Sequence, residues 1–155
     1  MPSLRLSIDT SGPVSCHPVT DRLRRFVADS GIRDGLLVAC GLHTTMALVV
    51  NEMEPRLLMD LEQWLARLAP AAEPWKHNDL ELRPDIPADE PCNAHAHLQA
   101  LLLGNQVHLP LIEGELALGT YQDVILVELD GPRRRQVVVQ LQPESHEPQE
   151  PISWG

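Results

Sequence analysis

QVHLPLIEGELALGTYQDVILVELDGPRRRQVVVQLQ, residues 106–142, decides the fold class. Four apolar or alternating runs follow one another there: 106–112, 115–121, 123–129 and 136–142. Glycines or polar residues separate them, and Gly131-Pro132 marks a turn. No helical pattern intervenes, so these strands pair without the crossover helices of a parallel sheet. The class is α+β with a largely antiparallel sheet, not an alternating βαβ fold.

The chain before residue 106 supplies helices and further strands. Residues 3–9, SLRLSID, alternate as a half-buried strand does. Thr20 reads as the N-cap of DRLRRFVADS, with Gly31 as its stop. The apolar runs 35–42 and 45–51 read as buried strands, with His43 and Thr44 near their junction. Leu57, Leu58, Leu61, Leu65 and Leu68 recur at helical spacing. Residues 70–91 are rich in Pro, Asp and Glu, and so long a loop is usually functional or disordered. In NAHAHLQALLLG, 93–104, Ala94, Leu98, Leu101 and Leu102 mark an apolar helix face, ended by Gly104. On that helix His95 and His97 lie roughly 200° apart, too far to share one metal. One domain spans 1–142, and 143–155 form a Pro/Glu-rich tail expected to be weakly held.

Composition narrows the function. A net charge of −10 makes the chain a poor binder of nucleic-acid backbone. One Phe and one Tyr leave no platform for stacking bases. No apolar run approaches the roughly 18 residues of a membrane span. No signal peptide is evident, and Cys16, Cys40 and Cys92 lack CxxC spacing. The expected compartment is a reducing cytoplasm, with the three thiols partly buried. There is no Gly-rich phosphate loop, and the chain is too short for a (β/α)₈ barrel.

Several residues could carry chemistry. The cluster His43-Thr44-Thr45 lies among apolar residues and must be hydrogen-bonded or ligated, or else satisfies backbone at a hairpin. His77 lies in the long loop, where an exposed position is the plain alternative. His108 faces away from Val107 and Leu109, which puts it on the surface. His17 and His146 sit in Pro-rich segments and read as solvated. Glu113, Glu115, Asp123 and Asp130 read as turn or edge charges. Arg133 and Arg135 point the same way in an extended chain, either as an anion fork or as a solvated basic turn.

Together, HTTMALVVNE (43–52), Asp60, KHND (76–79), NAHAHLQALLLG (93–104), LPLIEGELALGTYQ (109–122) and ELDGPRRR (128–135) resemble the YjbQ-like family, to which a secondary thiamine-phosphate synthase activity is ascribed. The match runs in order through nearly the whole chain to residue 142. One departure is Tyr121, where the family usually carries Trp. The resemblance implies two packed, largely antiparallel sheets with flanking helices, assembled as a homotrimer. It implies that His43, His77 and His97 converge as a metal or catalytic centre, with His95 the bystander. The metal would be a divalent ion, zinc or magnesium.

The implied reaction joins a pyrimidine pyrophosphate to a thiazole phosphate. His43, Glu52 and His97 would be catalytic, and Thr44, Gln122, Arg133 and Arg135 would bind the phosphorylated substrate. A non-catalytic trimer that binds a metal or a phosphorylated metabolite is the alternative. A vacant metal position among converging His, Glu and Arg would favour the enzyme.

Overall fold

The computed structural model describes residues 1–144. Its elements run β1 (Ser3–Asp9), β2 (Ser15–Pro18), α1 (Thr20–Ser30), β3 (Gly35–Gly41), β4 (Met46–Asn51), α2 (Pro55–Leu68), α3 (Ala94–Leu103), β5 (Gln106–Ile112), β6 (Glu115–Leu116), β7 (Asp123–Glu128) and β8 (Arg134–Pro143). Short 3₁₀ turns, Lys76–Asn78 and Leu80–Leu82, punctuate the long loop between α2 and α3. The expectations placed on the tail beyond Glu144, including His146, fall outside the described residues.

The strands form two sheets. The larger has the order β1-β8-β3-β5-β6 and the smaller β2-β7-β4. Every pairing is antiparallel. The fold is α+β with two packed antiparallel sheets and flanking helices. Its main core lies between the sheets, where Leu37, Leu109, Val139 and Leu141 meet Leu48, Val124 and Leu126. Each such side chain contributes about 1.5–3 kcal/mol by leaving water. A second cluster lies on the outer face of the smaller sheet, where Ala47, Ile125 and Val127 pack against Leu65, Ala96 and Ala100.

Several sequence expectations need correction. Residues 115–121 form only a two-residue strand, and β2 was not anticipated. β3 and β4 are not a hairpin, because they belong to different sheets. Thr20 does not cap α1. Val19 occupies that position, while the Thr20 hydroxyl donates to Asp123 Oδ1 at 2.6 Å and accepts from the Val124 N–H at 2.9 Å. Gly31 does end the helix, at φ 68°. Cys92 is exposed, while Cys16 and Cys40 are half-buried. His17 is half-buried beside Ser15 Oγ, 2.8 Å from its Nε2.

The leucines of the apolar face expected for α3 are turned outward, and of that face Ala94 alone is buried. Ala94, Ala96, Gln99 and Ala100 are buried, whereas Leu98, Leu101 and Leu102 are exposed, Leu101 by 81%. Small residues let α3 lie close against β4 and β7, which leucines would prevent. Gln99 enters this contact by donating to the carbonyls of Leu65 and Ala69 at 3.1 and 3.3 Å, at the end of α2. The Leu65 carbonyl also accepts the Ala69 N–H at 3.0 Å, whereas Ala69, past the last turn, has no helical donor for its own carbonyl.

Candidate functional site

Three connections cross between the sheets at one end of the sandwich: 10–14, 42–45 and 129–133. Glu128, the last residue of β7, ties them together. It is buried, and its carboxylate accepts from Thr10 Oγ1 (2.7 Å), the N–H groups of Leu129 (2.9 Å) and Asp130 (2.8 Å), and Arg135 Nε (2.7 Å). A second Arg135 nitrogen donates to its other oxygen. Burial alone pushes the Glu128 carboxyl up, but bonds from Arg135, the Asp130 N–H and Thr10, with the arginine charge, hold it below its ordinary value. Gly131 belongs to the same knot. A side chain there would run into the Gly12 carbonyl and the Glu128 side chain.

Above this knot lies a cavity of about 500 Å³, within the range of small-molecule sites. Its walls include His43 and Thr44 from the β3–β4 crossover and Asp130 and Arg133 from the β7–β8 crossover. The long loop adds His77, Arg83 and Glu90, and the start of α3 adds Asn93 and His97. A neighbouring hollow of about 400 Å³ shares His43, Thr44 and His97 and is bounded by Leu101. The chain thus brings together His43, His77 and His97, with Thr44 and Arg133. His95 lines neither cavity.

The polar groups have definite partners. His43 Nε2 accepts the Gln136 N–H at 3.1 Å, so in the neutral ring Nδ1 carries the proton. Burial lowers the His43 pKa, and the charges of Arg135 and Arg133 add to this against Glu128. His77 and His97 meet edge to face with ring centroids 4.7 Å apart. Burial also lowers the His97 pKa, helped by His77 and Arg83 and opposed by Asp130 and Glu90. Asp130 Oδ2 accepts from Asn93 Nδ2 at 2.8 Å and Arg133 at 2.9 Å. Arg83 donates to Glu90 at 2.7 Å and to the His77 carbonyl at 3.0 Å, which fixes the loop over the pocket. Two buried atoms of the lining, Asn93 Oδ1 and His77 Nε2, have no partner among the described residues.

Three expected site residues are elsewhere or engaged. Arg135 is 2% exposed and bound to Glu128 and Thr45, so it cannot fork with Arg133 around an anion. Glu52 lies beyond the far end of β4, about 20 Å along the strand from His43, and lines a different hollow. Gln122 is exposed at the same far end, where its Oε1 accepts the Gly119 N–H at 2.7 Å. Neither can share a site with His43 within one chain.

The expected three-histidine metal set also changes. Among the described residues no group of three His, Cys, Asp or Glu side chains is arranged to hold a metal ion. The lone pair of His43 is directed at Gln136, which leaves two imidazoles, His77 and His97, for a divalent ion. A zinc or magnesium ion would need further oxygen ligands there.

The sequence alone singles out no role for Asn93, Arg83, Glu90 or Glu128, and Asp130 reads there as a turn or edge charge. Glu128 had a signal: a carboxylate closing the apolar run VILVE must find a partner. Asn93 and Glu90 had none, because their roles come from contacts between distant segments.

A family model described as "UPF0047 protein YjbQ-like" matches residues 4–144. A UPF0047 protein of Archaeoglobus fulgidus is 40% identical over 88% of this chain and 98% of its own length. YjbQ of Escherichia coli O157:H7 is 31% identical over 83% and 88%. Among solved structures, a hypothetical protein from Aeropyrum pernix superposes with TM-score 0.83 at 35% identity, covering 93% of this chain and all of that one. A protein from Sulfolobus solfataricus matches with TM-score 0.83 at 33% identity over 92% and 97%, and it is described as of unknown function. These relatives carry no thiamine-phosphate synthase activity in their descriptions. That expectation falls. The family itself stands on both the sequence and the structural matches: the chain belongs to the UPF0047, YjbQ-like family.

Proposed function

We propose that the cavity over Glu128 binds a small, hydroxyl-bearing phosphorylated metabolite, with neutral His97 accepting a proton from it. The observation that carries this reading is the pair of buried atoms without partners, Asn93 Oδ1 and His77 Nε2, on residues lining one cavity. Buried polar atoms left bare are costly, so a ligand hydroxyl that reaches Asn93 Oδ1 removes a standing penalty. Asn93 Nδ2 is committed to Asp130, which orients the amide with its oxygen free.

The anionic end suits Arg133 and His43. Arg133 is exposed and spends two of its nitrogens on Asp130, leaving the third to donate. The Nδ1–H of His43 is a second donor on the same rim. Depressed pKa values keep His43 and His97 neutral near pH 7, the state in which an imidazole accepts a proton.

A divalent cation fits the reading as an accessory. His77 would supply a nitrogen ligand and phosphate oxygens of the bound metabolite would complete the coordination, because the single lone pair of neutral His97 is reserved for the proton. Assembly as a homotrimer belongs to the same proposal. Leu98, Leu101 and Leu102 expose apolar surface on α3, and Leu101 borders the hollow that adjoins the pocket.

The experiment is calorimetric titration with ribose 5-phosphate, ribose and inorganic phosphate, with and without zinc. Binding of the sugar phosphate well above either fragment, lost in Arg133→Ala, supports the reading. Equal binding of all three, or none, refutes it.

A further inference from the structure

Helix α2 is unusual in what it leaves uncovered. Of its fourteen residues only Leu65 is buried. Its C-terminal end is held by Gln99, which bonds the carbonyls of Leu65 and Ala69. Its N-terminal half stands off the smaller sheet. There a half-open hollow of about 440 Å³ lies between the helix and β4 and β7. Leu57, Leu61 and Trp64 form its helical wall, and Trp64 remains 47% exposed. A second hollow of about 130 Å³, bordered by Glu62, opens beside it.

The charges on this hollow have one sign. Glu52 and Asp60 line it, and among the described residues no Arg, Lys or His does. Glu54 is not free to contribute, because both its oxygens cap the first turn of α2. The thiol of Cys16, at the base, is pushed up by burial and by Glu62, so it adds no charge near neutral pH. The hollow is also separate from the histidine pocket, at the other end of β4. It absorbs Glu52, which the sequence pattern singled out and the histidine pocket does not use.

We propose that this hollow is a second ligand site, selective for a small apolar amine whose hydrocarbon or aromatic body lies against Leu57, Leu61 and Trp64. Its protonated amino group faces Glu52 and Asp60. Two arguments select that ligand. The apolar walls favour a body that leaves water, and an indole face attracts a cation. The unopposed carboxylates, in a chain of net charge −10, disfavour an anion of the same shape.

The test uses the full chain carrying Trp75→Phe and Trp154→Phe, so that Trp64 is the one indole reporting. Phenylbutylamine, phenylbutanol and phenylbutyrate share a body and differ in charge. The amine should saturate the Trp64 signal at one molecule per chain. The alcohol should bind roughly three- to tenfold more weakly, and the carboxylate more weakly still. Asp60→Asn with Glu52→Gln should bring the amine down to the alcohol and leave the alcohol unchanged. Equal affinities for amine and carboxylate, no saturable response, or no effect of the two substitutions would overturn the proposal. A Trp64 emission that shifts only when the protein dissociates on dilution would also overturn it, because a second copy would then fill the hollow.

Discussion

The Nε2 of His43 accepts the backbone N–H of Gln136 at 3.1 Å, and this one contact decides what the imidazole can offer the pocket. A ring whose Nε2 lone pair is used inward presents Nδ1–H outward. It is then a donor to a ligand oxygen and a poor metal ligand. Nitrogen-edited spectra at pH 7.5 should show His43 in the Nδ1–H tautomer. His43→Gln should keep part of the ligand affinity, while His43→Ala should lose it. An Nε2–H tautomer would show that the ring is turned otherwise.

The buried ion pair beneath the pocket yields a stability prediction. Glu128 and Arg135 are 0% and 2% exposed, so removing one partner strands the other charge away from water. Arg135→Ala or Glu128→Ala should each cost about 3–5 kcal/mol in urea unfolding. The double change to Met and Leu should cost much less than the sum, since no charge is then left alone. Additive losses would contradict the pairing.

Acid should destabilise the protein in two stages. The folded-state pKa values of His43, His97 and His17 are lowered, chiefly by burial. A group depressed in the folded state contributes stability that is complete above its unfolded pKa, about 6.5 for histidine, and is lost as pH falls below it. Glu128 is depressed as well, and its contribution fades below the unfolded carboxylate value of about 4.3. The thermal midpoint should therefore be flat from pH 8 to 7, decline gently near pH 6, and fall steeply below pH 4.5. A midpoint that rises between pH 7 and 5.5 would contradict the buried neutral histidines.

Gln99 should matter more than a polar residue on a short helix usually does. Its side chain bonds two carbonyls at the end of α2 and is 4% exposed. Gln99→Leu removes the side-chain donor from the Ala69 carbonyl and leaves the Leu65 carbonyl with the Ala69 N–H alone, and should cost about 1–3 kcal/mol. Hydrogen exchange should quicken in α2 before it changes in β7. Unchanged exchange in α2 would mean the helix is held by packing at Leu65 alone.

How far the sequence could be read follows from how local each feature is. The run 106–142 announced antiparallel strands because alternation and turn residues are local. A hydroxyl before a helix has two possible partners, and for Thr20 it is β7 that brings Asp123 within reach. Periodicity points the leucines of α3 inward because hydrophobicity outranks size in such a count. In the fold the alanines win, since two backbones must approach closely. His43, His77 and His97 line one cavity because three distant segments meet over Glu128. Arg135 looked free because its partner, Glu128, sits seven residues back on a strand of the other sheet. Glu52 and Gln122 looked like site residues because motif order along a chain says nothing about which end of a sheet each reaches.

The most direct test of the account is whether ligand binding needs Asn93. Ribose 5-phosphate should be titrated against wild type, Asn93→Ala, Arg133→Ala and His95→Ala, with the His97 ring resonances followed in the same samples. The account predicts saturable shifts of His97 in wild type and His95→Ala, and at least roughly tenfold weaker binding in Asn93→Ala and Arg133→Ala. Unmoved His97 resonances, or equal losses at His95 and Asn93, would contradict it.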